Sequence, residues 1–247
     1  MAAIAPWISL GSVSLNLVLL AAGVLVIGRR GGWVYLKDRL WHRQTSREAV
    51  IYRKPYYRHR QSQFEKLSIG TTSILFLGDS ITDEGEWSDW FPAATIHNRG
   101  ISSDTASGVL RRLPDLLKTS PQAIFLMIGI NDLIVLGRSP EQVLSRYQQI
   151  LALIKQRSPQ SQVYVQSVLP VSASTFPGLN PKIIQVNQGI AALAESLDYR
   201  YVDLHPLVVV NGQLDQTCTA DGLHLNGEGY ARWVDHLRPL VSSVGTK

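Results

Sequence analysis

Beyond Gly70, short apolar runs alternate with longer amphipathic stretches along the chain. The short runs are typical of strands buried in a parallel sheet, and the longer stretches repeat their apolar residues at helical spacing. The predicted strands are 73–77, 95–98, 123–128, 162–169 and 200–204. The predicted helices are 105–118, 139–157, 181–197 and 229–241. This alternation predicts an α/β domain, a three-layer α/β/α sandwich around a five-stranded, mostly parallel sheet.

One of these helices carries a clear start signal. Ser139 suits the N-cap, Pro140 fits the first turn, and Gln142 completes a capping box. The apolar side chains that follow at helical spacing are Val143, Leu144, Tyr147, Ile150, Leu151 and Ile154. The helix is therefore predicted to begin after Ser139 and to run to about Arg157.

The first part of the chain has a different pattern. Residues 7–28 contain no charged side chain and are dense in Leu, Val, Ile and Ala. At about 1.5 Å rise per residue, such a helix spans a hydrocarbon core of roughly 30 Å. A cleaved signal peptide is the alternative, but no Lys or Arg precedes the run and no small-residue cleavage site ends it. Residues 1–28 are therefore predicted to form a transmembrane anchor.

The basic character of the chain comes from one segment. Residues 29–66 hold 11 Lys and Arg side chains against three acidic ones, from totals of 24 and 19. Residues 67–247 therefore carry 13 basic and 16 acidic side chains, so the predicted domain is mildly acidic. Nucleic-acid binding is not expected, because a nucleic-acid-binding domain would carry the basic patch itself.

The basic segment, residues 29–66, has two interpretations that the sequence leaves open. Aromatic residues interleave with its charges, as in a stretch that lies against anionic headgroups. A solvated linker is equally consistent with the composition. Under the positive-inside rule, the domain of residues 67–247 would lie on the cytoplasmic side of the membrane.

Cysteine and histidine usage limits the chemistry. Cys218 is the single cysteine, so no intramolecular disulfide can form. The six histidines show no spacing typical of a metal site, and no metal is expected.

Ser80 follows the first predicted strand, and Asp221 and His224 lie near the C-terminus. A serine hydroxyl becomes an effective nucleophile when a neutral histidine takes its proton and a third group orients that histidine. Gly100 follows the second strand and Asn131 the third. Because the carboxyl ends of parallel strands share one edge of a sheet, these residues are expected to meet there.

Two rival arrangements fit less well. Asp203 and His205 form another acid–base pair near the end of the fifth strand. A Gly-x-Ser-x-Gly elbow would need a glycine where the chain has Thr82. The sequence therefore favours Ser80, Asp221 and His224.

These residues lie in four segments that resemble the sequence blocks of the SGNH (GDSL) hydrolase family, and the resemblance covers about residues 64–243. The segments are Gly78-Asp79-Ser80-Ile81-Thr82, Asn98-Arg99-Gly100-Ile101-Ser102, Gly129-Ile130-Asn131-Asp132 and Asp221-Gly222-Leu223-His224-Leu225-Asn226. Ile81 replaces the usual leucine, a conservative departure. Residues 98–103 and 126–133 look most like the branch related to platelet-activating-factor acetylhydrolase.

The resemblance implies a flavodoxin-like fold and cofactor-free hydrolysis of a small-molecule, lipid or glycan ester with a short acyl group. Ser80 would be the nucleophile, His224 the general base, and Asp221 the group that orients His224. The backbone N–H groups of Ser80 and Gly100 and the side-chain amide of Asn131 would form the oxyanion hole. A lysophospholipase, an acyltransferase and a catalytically silent, membrane-tethered binding module are the alternatives.

Overall fold

The computed structural model of this 247-residue chain describes residues 47–244. A helical stretch, residues 47–53, comes first. The later helices are α1 Pro55–Lys66, α2 Ser80–Asp83, α3 Trp87–Trp90, α4 Ala106–Leu116, α5 Ile130–Ile134, α6 Pro140–Arg157, α7 Asn180–Ser196 and α8 Gly227–Val244. The strands are β1 Ile74–Gly78, β2 Ile96–Gly100, β3 Ala123–Met127, β4 Gln162–Gln166, β5 Arg200–Val202, β6 Val209–Val210 and β7 Gln213–Leu214.

Within residues 47–244, the first five strands form one sheet in the order β2-β1-β3-β4-β5. All its neighbouring strands are parallel, which confirms the predicted five-stranded α/β fold. Gly78 at the end of β1 is in register with Gly100 of β2 and Met127 of β3. The segments that follow these three strands therefore leave the sheet side by side.

Aromatic side chains fill one face of the sheet. Phe76, Phe125 and Tyr164 occupy the same register position on β1, β3 and β4, and their rings stack at 4.9 and 4.3 Å. Trp87 of α3 stacks on Phe76 and meets Trp233 of α8 edge to face. Among the remaining helices, α6 packs against α4 and α7. The capping box predicted at the start of α6 is present.

Helix α1 belongs to the compact unit, although the sequence places it in the basic segment before residue 67. Tyr57 and Phe64 of α1 are buried, and Ile51 is buried just before it. Helix α1 packs against α4, and the compact unit that contains the sheet begins at Val50. Burial of these side chains therefore places the edge of the unit earlier than the expected boundary at residue 67.

From residue 47 to residue 244, no helix combines the length and the apolar composition needed to cross a bilayer. The predicted anchor, residues 1–28, lies outside the described residues, and so does the basic stretch up to residue 46.

Candidate active site

Ser80 is the first residue of α2, directly beyond the carboxyl end of β1. Asp79 is the N-cap of that helix, and its Oδ1 accepts the Ile81 N–H at 3.2 Å. The next residue of α2 is held from outside the helix, because Tyr230 Oη donates to the Ile81 carbonyl at 2.7 Å. Ser80 is only 5% exposed. The serine is therefore held on a short helix that the rest of the fold immobilises.

His224 reaches Ser80 from the segment before α8. The Ser80 Oγ lies 2.9 Å from His224 Nε2, and His224 Nδ1 lies 2.6 Å from Asp221 Oδ2. Asp221 Oδ1 accepts the backbone N–H groups of Leu223 and His224, each at 2.8 Å. The structure thus brings together the three side chains that the sequence singles out, in a continuous hydrogen-bonded chain.

Asp221 has the electrostatic character of a permanent anion. Partial burial raises the pKa of its carboxyl, but the hydrogen bonds from the His224 ring and from the backbone of His224 and Leu223 outweigh that effect and lower the pKa to about 2. Asp221 is therefore ionised at neutral pH and favours the His224 tautomer that carries its proton on Nδ1, leaving Nε2 to accept from Ser80.

Asn131 lies on α5, which begins just beyond β3. Gly129 is the N-cap of this helix and has φ +127°, a backbone conformation that residues other than glycine rarely adopt. The Asn131 Nδ2 group donates one hydrogen to the Asp104 carbonyl at 3.0 Å. A primary amide has two N–H bonds, so the second is available to a ligand.

Gly100 has a role in packing. Its N–H donates to Asn98 Oδ1 at 2.9 Å, so this donor is already occupied. A Cβ at this position would meet Asp83 N at 2.2 Å, so glycine is needed for the close approach of β2 to α2. This geometry speaks against the expected role of Gly100 as an oxyanion donor.

Ser103 offers a free backbone donor that the sequence analysis missed. It lies in loop 101–105, which follows β2, and it has φ +68°. Among the described residues, no acceptor bonds its N–H. Both neighbours of Ser103 are hydrogen-bonded to other parts of the site. The Ser102 N–H donates to the Asp83 carboxylate of α2, and the Asp104 carbonyl accepts from Asn131 Nδ2. A left-handed serine has no signal in the sequence, because this conformation is typical of glycine and asparagine.

A buried ion pair anchors loop 101–105. Arg112 Nε lies 2.8 Å from Asp104 Oδ2, with both side chains almost fully buried. Arg112 Nη2 also donates to the carbonyl of Gly78, the last residue of β1, at 3.0 Å. Since the same guanidinium contacts the end of β1 and the loop after β2, it fixes the distance between the Ser80 segment and loop 101–105.

In the rival pair, the buried Nε2 atom of His205 has no hydrogen-bond partner among the described residues. Asp203 accepts the His205 N–H at 3.3 Å, and Ser167 Oγ accepts the backbone N–H groups of Leu204 and His205. Cys218 is buried. Within residues 47–244, no group of three or more His, Cys, Asp or Glu side chains is placed to hold a metal ion.

A Ser–His–Asp chain at the carboxyl edge of a parallel α/β sheet is the arrangement of a serine hydrolase. The model of the GDSL-like lipase/acylhydrolase family matches residues 76–232. The chain belongs to this family of hydrolases that act on esters.

Individual proteins agree with this family. The human platelet-activating factor acetylhydrolase IB subunit alpha1 is 31% identical over 165 residues, which are 64% of this chain and 70% of the human protein. A solved structure from Streptococcus pneumonia matches with a TM-score of 0.70 and 27% identity, over 75% of this chain and 92% of that one. An acetyl-xylooligosaccharide esterase from Geobacillus Stearmophilus, 18% identical over 74% of this chain and 97% of its own, shares the fold with a TM-score of 0.57.

Proposed function

We propose that this protein is a serine esterase that cleaves short-acyl, acetyl-type carboxylic esters through an acyl-enzyme on Ser80. The observation that carries this proposal is the 2.9 Å contact between Ser80 Oγ and His224 Nε2, with Asp221 on the opposite ring nitrogen. A hydroxyl at hydrogen-bond distance from an oriented imidazole has the geometry needed for nucleophilic attack. A catalytically silent binding module would have no need for this chain of contacts.

In the first half-reaction, Ser80 Oγ attacks the ester carbonyl carbon while His224 Nε2 takes the hydroxyl proton. The tetrahedral intermediate collapses, the bond to the alcohol oxygen breaks, and His224 returns the proton to that oxygen. In the second half-reaction, water attacks the acyl-enzyme by the same route, and Ser80 regains its proton. Asp221 stabilises the imidazolium in both steps and stays ionised throughout.

The negative charge on the carbonyl oxygen needs preorganised donors in the transition state. We assign this role to the Ser80 N–H, the second N–H of Asn131 Nδ2 and the Ser103 N–H. Ser103 takes the place expected for Gly100, because the Gly100 N–H already bonds Asn98. Removal of one such donor from an oxyanion hole typically costs roughly 2.7–4 kcal/mol of transition-state stabilisation.

A short acyl group is supported by the names of similar proteins, since the human relative is an acetylhydrolase and the Geobacillus protein acts on acetyl-xylooligosaccharides. A lysophospholipid is the second candidate, and transfer of the acyl group to an alcohol instead of water is a variant of the same chemistry. One observation favours the lysophospholipid: Lys54 Nζ donates to Ser103 Oγ at 3.2 Å, which puts a cation beside loop 101–105.

We further propose that the apolar run of residues 7–28 anchors the esterase in a membrane as a single pass. The cluster of basic residues that follows it would keep the catalytic domain on the cytoplasmic side. Protease accessibility in intact cells tests this orientation. Digestion of the domain from outside would contradict it.

A panel of esters with acyl chains from acetyl to palmitoyl tests the activity and its chain-length preference, with and without detergent. The proposal expects the highest kcat/KM on acetyl esters and no turnover by Ser80→Ala. A maximum on long-chain lysophospholipids would support the second candidate instead. Equal rates for wild type and Ser80→Ala on every ester would overturn both.

A further inference from the structure

The carboxylate of Asp83 joins three separate parts of the structure around Ser80. Asp83 is the last residue of α2, three positions after Ser80, and its side chain is 4% exposed. Its Oδ2 accepts the Ser102 N–H at 3.0 Å and the Tyr56 hydroxyl at 2.6 Å. Its Oδ1 pairs with Arg60 Nη2 at 2.9 Å. One side chain therefore connects α2, loop 101–105 and α1.

The segment before the sheet contacts loop 101–105 at every position from Ser103 to Thr105. Lys54 Nζ donates to Ser103 Oγ at 3.2 Å, and Tyr57 Oη donates to Asp104 Oδ1 at 3.1 Å. The hydroxyls of Tyr52 and Thr105 lie 2.9 Å apart. Residues 52–57 thus contact the loop whose Ser103 N–H and Asp104 carbonyl belong to the candidate oxyanion hole.

Loop 101–105 needs such support because its conformation is unfavourable. A non-glycine residue at φ +68° costs of the order of 1–2 kcal/mol, so Ser103 keeps this conformation only where surrounding contacts enforce it. The bond from Ser102 to Asp83 lies immediately before Ser103. It is therefore well placed to fix the direction of the Ser103 N–H.

We propose that Asp83 is a positioning residue of the esterase: it holds loop 101–105 in register with Ser80, and residues 52–60 complete that support. Asp83 acts through Ser102 and touches no reacting atom. This inference rests on the proposed function of the Ser80 site. It makes the segment before the sheet part of the catalytic unit instead of a passive linker.

The test compares Asp83 variants in the full chain, with concentrations normalised to folded protein. Asp83→Ala deletes the acceptor of the Ser102 N–H and should lower kcat by about tenfold or more with KM little changed, since a misplaced donor acts on the transition state. Asp83→Asn in an Arg60→Met background keeps an oxygen for Ser102 and removes the donor that the new amide would face. This variant should restore kcat to within about threefold of wild type.

Fluorophosphonate labelling of Ser80 gives a second readout that needs no known substrate. The labelling rate of Asp83→Ala should fall in parallel with kcat, while Asp115→Ala, which breaks an exposed ion pair with Lys118, should label like wild type. An Asp83→Ala protein that unfolds more easily but keeps wild-type kcat and labelling rate would overturn the inference and leave the proposed function intact. Absence of labelling in wild type would overturn both.

If Asp83→Ala does not fold, Tyr56→Phe replaces it in the test. This change removes the Tyr56 hydroxyl, which is one of the two donors to Asp83 Oδ2. Because Tyr56 is half exposed, the fold should tolerate the change. A several-fold fall in kcat supports the inference. Wild-type kcat in Tyr56→Phe, together with failure of Asp83→Ala to fold, would make Asp83 a stability residue and contradict it.

Discussion

The candidate site has two sides that are built differently. Asp221 and His224 form one side, and Asn131 with loop 101–105 forms the other. The hydrogen bonds to Asp221 come from residues 219, 223 and 224, and the Asp221 side chain is 54% exposed. On the other side, Asp104 is fully buried and bonds groups far away in sequence, including Tyr57 and Asn131. The first side keeps its geometry through local contacts, whereas the second depends on the packing of several elements.

This difference predicts different consequences of substitution. A change on the Asp221 side should affect chemistry and leave the free energy of unfolding almost unchanged. A change on the loop 101–105 side should affect both, because it removes buried contacts.

The largest expected effect is that of His224→Ala. It should lower kcat by about 10⁴–10⁶-fold, because the proton acceptor for Ser80 is lost. The thermal midpoint should stay near that of wild type, since the His224 side chain is 30% exposed. His236→Ala, at an exposed position of α8, is the control. A midpoint that falls with kcat would contradict the local character of this side.

Asn131→Ala should lower kcat by about 10²–10³-fold through loss of an oxyanion donor. It should also lower the free energy of unfolding by about 1–3 kcal/mol, because the buried Asp104 carbonyl loses its partner. Asn187→Ala is a matched control, since this amide also bridges buried backbone groups, those of Val168. A kcat loss as large in Asn187→Ala would remove Asn131 from the oxyanion hole.

Replacement of a single residue by its α-hydroxy acid turns the backbone amide into an ester and removes the N–H. This change distinguishes the role of the Ser103 N–H from that of the Gly100 N–H. At position 103 the change deletes the proposed oxyanion donor and should lower kcat by about 10²-fold. At position 100 it deletes the bond to Asn98 and should cost about 1 kcal/mol of stability with little change in kcat. The opposite result would return the oxyanion role to Gly100.

The smallest effect concerns stability alone. Burial raises the pKa of Asp79 to about 7, so the folded protein binds a proton more tightly than the unfolded chain and loses stability as pH rises from about 4 to 7. Asp79→Asn keeps an acceptor for the Ile81 N–H and removes that titration. Its thermal midpoint relative to wild type should therefore increase between pH 5 and pH 8. A constant difference would show that Asp79 titrates normally.

The local side of the site is also the side that sequence reasoning could predict. Asp221 and His224 are three residues apart, so their contact needs only one turn of chain. The centre of the sheet was predictable for a similar reason, because β1 and β3 are continuous apolar runs. The start of α6 at Ser139 was predictable from its capping box.

The other side could not be derived in this way. Position 100 is glycine because β2 packs tightly on α2. The sequence alone does not distinguish a glycine required for packing from one required for catalysis. The left-handed conformation of Ser103 lies in a loop that contacts elements distant in sequence, so no local pattern marks it. Helix α1 resembled a linker because Tyr57 and Phe64 are its only buried residues, among many charged and polar ones.

Fluorophosphonate labelling, with the modified residue located by mass spectrometry, tests the central claim most directly. The account predicts a single modification on Ser80 in wild type, much slower labelling in His224→Ala, and none in Ser80→Ala. Wild-type protein that is folded and does not react, or that reacts as well after Ser80→Ala, would contradict the assignment of Ser80 as the nucleophile.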